Sequence, residues 1–204
     1  MSAELSVRLL AAFTAAYLLG AVPTSYLAGR LLRGIDLRRH GSGNLGATNV
    51  FRTLGVTPAM AVLTLDILKG FCASFWLPGW FGLEGSLVAP GMILGFPAIA
   101  GHVFSPFVRF RGGKGVATAA GVFLALAPKA LGICVVVWAM LMVLSRIVSV
   151  ASLGAALALP VALFLTTSGP DAEVWLLRGF GILISLAVIV THRSNIVRLA
   201  RGEE

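Results

Sequence analysis

Charge is scarce in this sequence, and negative charge is scarcer still. Only 12% of the 204 residues are charged, and 8 Asp and Glu stand against 16 Lys and Arg, a net charge of +8. Soluble domains carry about 25% charged residues. With 58% hydrophobic residues and a mean hydropathy of +0.95, most soluble classes are excluded. No polar stretch is long enough for a separate soluble domain, so residues 1–204 read as one membrane-embedded domain. Cysteine is nearly missing as well. Cys72 and Cys134 sit in apolar runs, with no metal-ligand spacing and no disulfide framework, and read as packing residues. No metal or cofactor is expected.

What is present is a regular alternation of apolar runs and basic loops. All the Lys and Arg except Arg8, Lys69, Lys129 and Arg178 fall in Arg30–Arg52, Arg109–Lys114, Arg146 and Arg193–Arg201. Flanking apolar spans in this way follows the positive-inside rule. Nucleic acid is not an expected partner, because no aromatic-basic surface for stacking bases is visible. Leu5–Leu32 is too long for a signal peptide, and its arginines follow the apolar core instead of preceding it.

A helix needs about 20 apolar residues to cross a bilayer. The candidates are Leu5–Leu27, Val56–Trp76, Ser86–Gly101, Val116–Ala127, Ala130–Leu144, Ile147–Thr167 and Val174–Val190, the third to fifth being short. Val116–Leu144 divides at Pro128. The expected fold is therefore an all-α polytopic bundle of seven transmembrane helices, N-terminus outside and C-terminus cytoplasmic, with five spans as the alternative if two of the short segments are re-entrant. Glu4, Glu84, Asp171 and Glu173 would lie outside, and Pro78, Gly79, Gly82 and Gly85 would mark an outer turn.

Two loops carry phosphate-binding chemistry. The first runs from His40 to Arg52. Its glycines, Gly43 among them, let backbone N–H groups turn inward around an anion, Ser42, Asn44, Thr48 and Asn49 add neutral donors, and Arg52 adds a planar fork. The second contains Gly112-Gly113-Lys114-Gly115 just before an apolar helix, which sets an ammonium beside a helix N-terminus. It is not a Walker loop, since Val108 and Gly115 stand where that motif needs Gly and Ser or Thr. Arg109 and Arg111 read as topology and headgroup anchors. Asp66 and Lys69, three apart within a span, share a helix face and read as an ion pair or a positioning device. His192 and Asn195 have the same spacing at the end of the last span, so both can point into one polar site.

Together these motifs resemble the bacterial acyl-phosphate:glycerol-3-phosphate acyltransferase family (PlsY). The resemblance rests on Ser42–Arg52, Leu65–Gly70, Gly101–Ser105, Phe110–Thr118, Arg146–Ser149 and Thr191–Ile196. It implies a multi-pass enzyme of the bacterial inner membrane with its active site facing the cytoplasm. The reaction implied moves a fatty acyl group from acyl phosphate to the 1-hydroxyl of glycerol 3-phosphate, giving lysophosphatidic acid and phosphate, the first acylation in phospholipid biosynthesis. Membrane lipid and the soluble enzyme that makes acyl phosphate are the implied partners. By resemblance, Ser42, Gly43, Asn44, Thr48 and Asn49 surround acyl phosphate. Arg52, Lys114, Ser149 or Ser152, His192 and Asn195 hold glycerol 3-phosphate, and Gly112 and Gly113 belong to the binding loop. Lys114, His192 and Asn195 are the expected catalytic residues, with His192 or the substrate's own phosphate as proton acceptor. Asp66, Lys69 and His102 take structural or positioning roles. The residues suit such chemistry: no Gly-x-Ser-x-Gly elbow is present. The His-x-x-x-x-Asp motif of thioester-using acyltransferases is also missing, because Leu45, Phe107 and Val197 follow His40, His102 and His192 at that spacing. A transporter of a phosphorylated solute is the rival reading, but its site would lie near the midplane between repeats.

Overall fold

A computed structural model describes residues 2–83 and 86–204, so Glu84 and Gly85 lie outside the described residues. Every regular element in the described residues is helical. Six helical stretches are long and apolar enough to cross a membrane: Ala3–Arg33, Val56–Phe75, Val88–Val108, Pro128–Ser145, Val148–Thr166 and Ala172–Thr191. Val116–Leu126 is a seventh, shorter apolar helix. Its 11 residues extend only about 16 Å at 1.5 Å per residue. The seven apolar segments of the sequence thus all become helices. The chain packs as two compact units, Met1–Leu126 and Ala127–Glu204.

The first unit holds α1 (Ala3–Ala21), α2 (Thr24–Arg33), α3 (Ala47–Leu54), α4 (Val56–Phe75), α5 (Leu77–Trp80), α6 (Val88–Val103) and α7 (Val116–Leu126). Ser2 caps α1 by accepting from the Leu5 amide. The expected single span Leu5–Leu27 is split here, because Pro23 lacks an N–H and drives Val22 out of the helical region. The first basic loop is likewise only half a loop, since its second half winds into α3. Small residues let these helices approach closely. Side chains at Gly20 and Gly101 would strike the backbones of α6 and α1, and side chains at Gly70 and Gly121 would strike those of α7 and α4. Ala12, Ala16, Ala73, Leu94 and Ala98 fill this interior. A second core of Leu37, Leu45, Val50, Leu54, Val62 and Val108 lies beneath the loops. Leu10, Leu65, Phe75 and Phe96 point outward, as lipid-facing side chains do.

The second unit holds α8 (Pro128–Ser145), α9 (Val148–Thr166), α10 (Ala172–Thr191) and α11 (Arg193–Ala200). Pro128 stands at the start of α8, where its missing N–H costs nothing. That is why the apolar run divides at this proline. Arg146 adopts a left-handed turn (φ 57°) between α8 and α9. The last span ends at Thr191, and α11 begins beyond the bend at His192.

Candidate active site

In the first unit, the turn at Leu37–Arg39 begins at Asp36, whose carboxylate accepts from the Arg38 amide. Gly41 and Gly43 then take positive φ (61° and 70°), a conformation that glycine adopts without strain. Asn49, on the first turn of α3, is buried and shapes this loop. Its Oδ1 accepts from the Ser42 amide at 2.9 Å, and its Nδ2 donates to the carbonyls of Leu37 (3.1 Å) and His40 (3.0 Å). The Asn49 side-chain amide is thus spent on loop backbone. Thr48 and Arg52 are four apart on α3 and share a face. Ser42 and Arg52 are exposed, and Asn44 and Thr48 are half-buried.

The second loop is anchored at both ends. The Ser105 hydroxyl donates to the Ala21 carbonyl at 2.6 Å. The amides of Gly112 and Gly113 donate to the carbonyls of Val103 (3.0 Å) and His102 (3.1 Å). Lys114, half-buried, follows two residues before α7. The two loops meet: an Arg38 terminal nitrogen donates to the Val108 carbonyl at 3.1 Å, while its guanidinium grips Asp36 through Nε (3.0 Å) and the other terminal nitrogen (2.7 Å). This hydrogen bonding outweighs the opposing effect of burial and holds the Asp36 carboxyl at about 2, below its usual 3.8.

Where the loops meet lies a cleft of about 530 Å³. Gly43 and Gly112 line it, one from each loop, with Arg38, Arg39, Arg109 and Arg111 around them. Asp36 is the acid on this wall, and Arg38 already engages it. Arg109 and Arg111, read from the sequence as anchors, stand in the cleft wall. Arg109 and Phe110 are both left-handed (φ 59° and 58°). Arg109 and Arg111 stand within three residues of Gly112 in the chain, a proximity that was available as a signal in the sequence.

Behind the second loop lies a buried charged cluster. The Lys69 ammonium sits 2.8 Å from Asp66 Oδ1 and donates to His102 Nδ1 at 2.8 Å. The Thr24 hydroxyl donates to the same Asp66 oxygen at 2.7 Å, and Lys69 also reaches the Val22 carbonyl at 3.3 Å. A side chain at Gly113 would run into His102 Nε2 and the Leu45 carbonyl. The cluster therefore backs the loop that carries Lys114.

In the second unit, Ser149, Ser152, His192 and Asn195 are all buried. His192 Nδ1–H donates to the Val188 carbonyl at 2.8 Å, which places the ring's lone pair on Nε2. Ser152 accepts from the Trp138 indole at 3.4 Å. Ser149 donates to Glu204 Oε1 at 2.8 Å, and Asn195 Nδ2 donates to the same oxygen. Arg198 Nε donates to Glu204 Oε2 at 2.7 Å. Burial pushes the Glu204 carboxyl up, but these donors outweigh it and hold the group at about 2. Neither Arg198 nor Glu204 was singled out from the sequence. The spacing of Asn195 and Arg198, three apart on α11, was the signal available for the arginine.

Residues 10–202 match the family model described as glycerol-3-phosphate acyltransferase. The chain is 39% identical to the glycerol-3-phosphate acyltransferase of Pelodictyon phaeoclathratiforme, covering 96% of this chain and 95% of that protein. It is 40% identical to that of Chlorobaculum parvum, with 96% and 94% covered. Among solved structures it resembles the crystal structure of PlsY, an integral membrane glycerol 3-phosphate acyltransferase, in its glycerol 3-phosphate form. That match has a TM-score of 0.81 and 36% identity, and covers 96% of this chain and 94% of that one. The lysophosphatidic acid form matches with the same score and identity, covering 93% of that chain.

Proposed function

We propose that this chain, which belongs to the glycerol-3-phosphate acyltransferase family, moves a fatty acyl group from acyl phosphate to the 1-hydroxyl of glycerol 3-phosphate. The products are lysophosphatidic acid and phosphate, and the step is the first acylation of phospholipid biosynthesis. Solved relatives bound to glycerol 3-phosphate and to lysophosphatidic acid support the acceptor and the product. The observation that carries the donor is the meeting of two glycine-rich loops over an arginine-lined cleft, combined with the missing His-x-x-x-x-Asp motif. A phosphate anhydride is already activated, so the protein has to position it and stabilise charge more than to attack it.

In this reading the first loop and α3 surround acyl phosphate, with Ser42, Asn44 and Thr48 as side-chain donors, Gly43 lining the cleft with its amide spent on the His40 carbonyl, and Asn49 holding the loop in shape. Lys114 and Arg52 grip the phosphate of glycerol 3-phosphate, while Gly112 and Gly113, whose amides are spent on the Val103 and His102 carbonyls, shape the loop that presents Lys114. Ser149 or Ser152, His192 and Asn195 hold glycerol 3-phosphate. The acceptor hydroxyl attacks the acyl carbon, the bond to phosphate oxygen breaks, and the hydroxyl proton passes to His192 Nε2 or to a substrate phosphate. Asp66, Lys69 and His102 keep the second loop in place. The basic loops face the cytoplasm of a bacterial inner membrane, within reach of the soluble enzyme that makes acyl phosphate.

The test is an assay of purified protein with palmitoyl phosphate and glycerol 3-phosphate, reading phosphate release and lysophosphatidic acid. Palmitoyl-coenzyme A is the comparison donor. Turnover with acyl phosphate and essentially none with the thioester is expected, and comparable rates with both would remove the donor assignment.

A further inference from the structure

Three arginines in the cleft wall, Arg39, Arg109 and Arg111, have no part in the reaction proposed above. Among the described residues none of them makes an ion pair, and the acid on that wall, Asp36, is taken up by Arg38. The cleft therefore holds an excess of positive charge. Its volume of about 530 Å³ falls in the range of about 300–1,000 Å³ that takes a whole small molecule, so it has room for more than one phosphate group. The rest of the second loop shows what surrounds it. Pro106–Val108 is a single turn of 3-10 helix, in which residues three apart share a side. Ser105 and Val108 face inward, the one bonded to Ala21 and the other in the core. Phe104, Phe107 and Phe110 repeat at the same spacing and are 57%, 59% and 62% exposed. Exposed rings interleaved with arginines belong where apolar and charged surroundings meet, at the headgroup level of a bilayer.

A guanidinium presents a planar fork to phosphate oxygens, and basic pockets beside membrane helices hold anionic headgroups. We infer that this cleft binds the headgroup of an anionic phospholipid. Arg39, Arg109 and Arg111 engage its phosphate, and Phe104, Phe107 and Phe110 lie in the leaflet beside its chains. Rings and two of the three cations sit on one loop, so headgroup and leaflet are engaged together. A zwitterionic lipid carries the same phosphate but cancels its charge within the headgroup, so the cleft selects by net charge. The shape and charge of the cleft carry this site, and the acyl-transfer reading does not. Lys114 follows three residues after Arg111 on the same loop, so a bound lipid also seats that lysine at the membrane surface.

The experiment adds phosphatidylglycerol, or phosphatidylcholine with the same chains, to full-length protein in neutral detergent and counts retained lipid by native mass spectrometry. Wild type should retain phosphatidylglycerol in preference. Each arginine at an anionic headgroup adds about 1 kcal/mol, or about fivefold in affinity. Arg39→Gln should therefore weaken phosphatidylglycerol about fivefold and Arg109→Gln/Arg111→Gln about 25-fold, whereas Arg109→Lys/Arg111→Lys should keep most of the affinity. Arg30→Gln/Arg33→Gln removes the same charge from arginines bonded elsewhere, to the carbonyls of Gly34 and Thr53, and should change little. An equal loss in that control would reveal a diffuse surface field and overturn the site, as would wild-type retention in the cleft variants. Inorganic phosphate should leave the lipid bound. Its release by inorganic phosphate would assign the arginines to a free anion, and its release by equimolar palmitoyl phosphate would assign them to the donor; either result overturns the inference. If Arg109→Gln/Arg111→Gln does not fold, Arg111→Gln and Arg39→Gln decide the same point. Retention is read without turnover, so a protein that binds phosphatidylglycerol but transfers no acyl group would sink the acyltransferase reading alone.

Discussion

Gly113 lies directly against the imidazole of His102. Its amide donates to the His102 carbonyl at 3.1 Å, and a Cβ at 113 would collide with Nε2. Histidine and glycine are thus parts of one support. The His102 ring is held by Lys69, Lys69 is held by Asp66, and the loop bearing Lys114 rests on the ring.

Gly113→Ala must therefore move either the ring or the loop. Overpacking of this kind costs roughly 1–3 kcal/mol. The expected outcome is a folded protein with a lowered Tm in detergent and a clearly reduced kcat/KM. Wild-type kinetics in this variant would show that the contact does not position the site.

Asp66→Asn leaves the Lys69 ammonium buried without its carboxylate. Breaking a buried pair costs about 3–5 kcal/mol, whereas replacing both members by apolar residues is often tolerated. Asp66→Asn should melt well below wild type, and Asp66→Leu/Lys69→Met should recover much of that loss while staying poorly active. Equal melting of wild type and Asp66→Asn would contradict the pair's structural role.

The Asp36–Arg38 pair predicts a pH signature. The Asp36 carboxyl is depressed from 3.8 to about 2 by its bond to Arg38, so the folded state favours the ionised form. Its contribution to stability is present above 3.8 and is lost as pH falls through about 2. The difference in Tm between wild type and Asp36→Asn should be largest near neutrality and close across that acid window. A difference that stays constant down to the acid limit would count against the pair.

Lys114 and Arg52 are proposed to grip phosphate through charge-assisted hydrogen bonds, worth roughly 1.5–3 kcal/mol each. Lys114→Ala and Arg52→Ala should each lower kcat/KM by about ten- to a hundredfold. Folded variants with unchanged kinetics would refute the role.

Orientation is accessible to labelling. In a background with Cys72 and Cys134 replaced, a cysteine at Ser168 should react with an impermeant thiol reagent in intact cells, and one at Ser194 should not. Both positions are exposed in the structure, so a reversed pattern reports a reversed topology.

What the sequence determined by itself is local. Apolar length set where helices form, and Pro128 divided α7 from α8, because hydropathy and a missing N–H act within a few residues. The same locality made the glycine-rich loops legible, since a turn that presents backbone amides is built from neighbours in the chain. Which groups those loops meet was decided only by tertiary structure. Arg38 reaches Val108, 70 positions away, because helices with Gly20, Gly70, Gly101 and Gly121 at their contacts can pack closely enough to bring the loops together. That approach turned Arg109 and Arg111 from apparent anchors into the wall of a cleft. Asn49 read as a free donor, but folding spends its amide on the carbonyls of Leu37 and His40. Glu204 gained its partners only in the fold, where left-handed Gly202 turns the chain back and sets its carboxylate against Ser149, Asn195 and Arg198. Periodicity records which face of a helix a side chain occupies, but only packing decides what stands opposite that face.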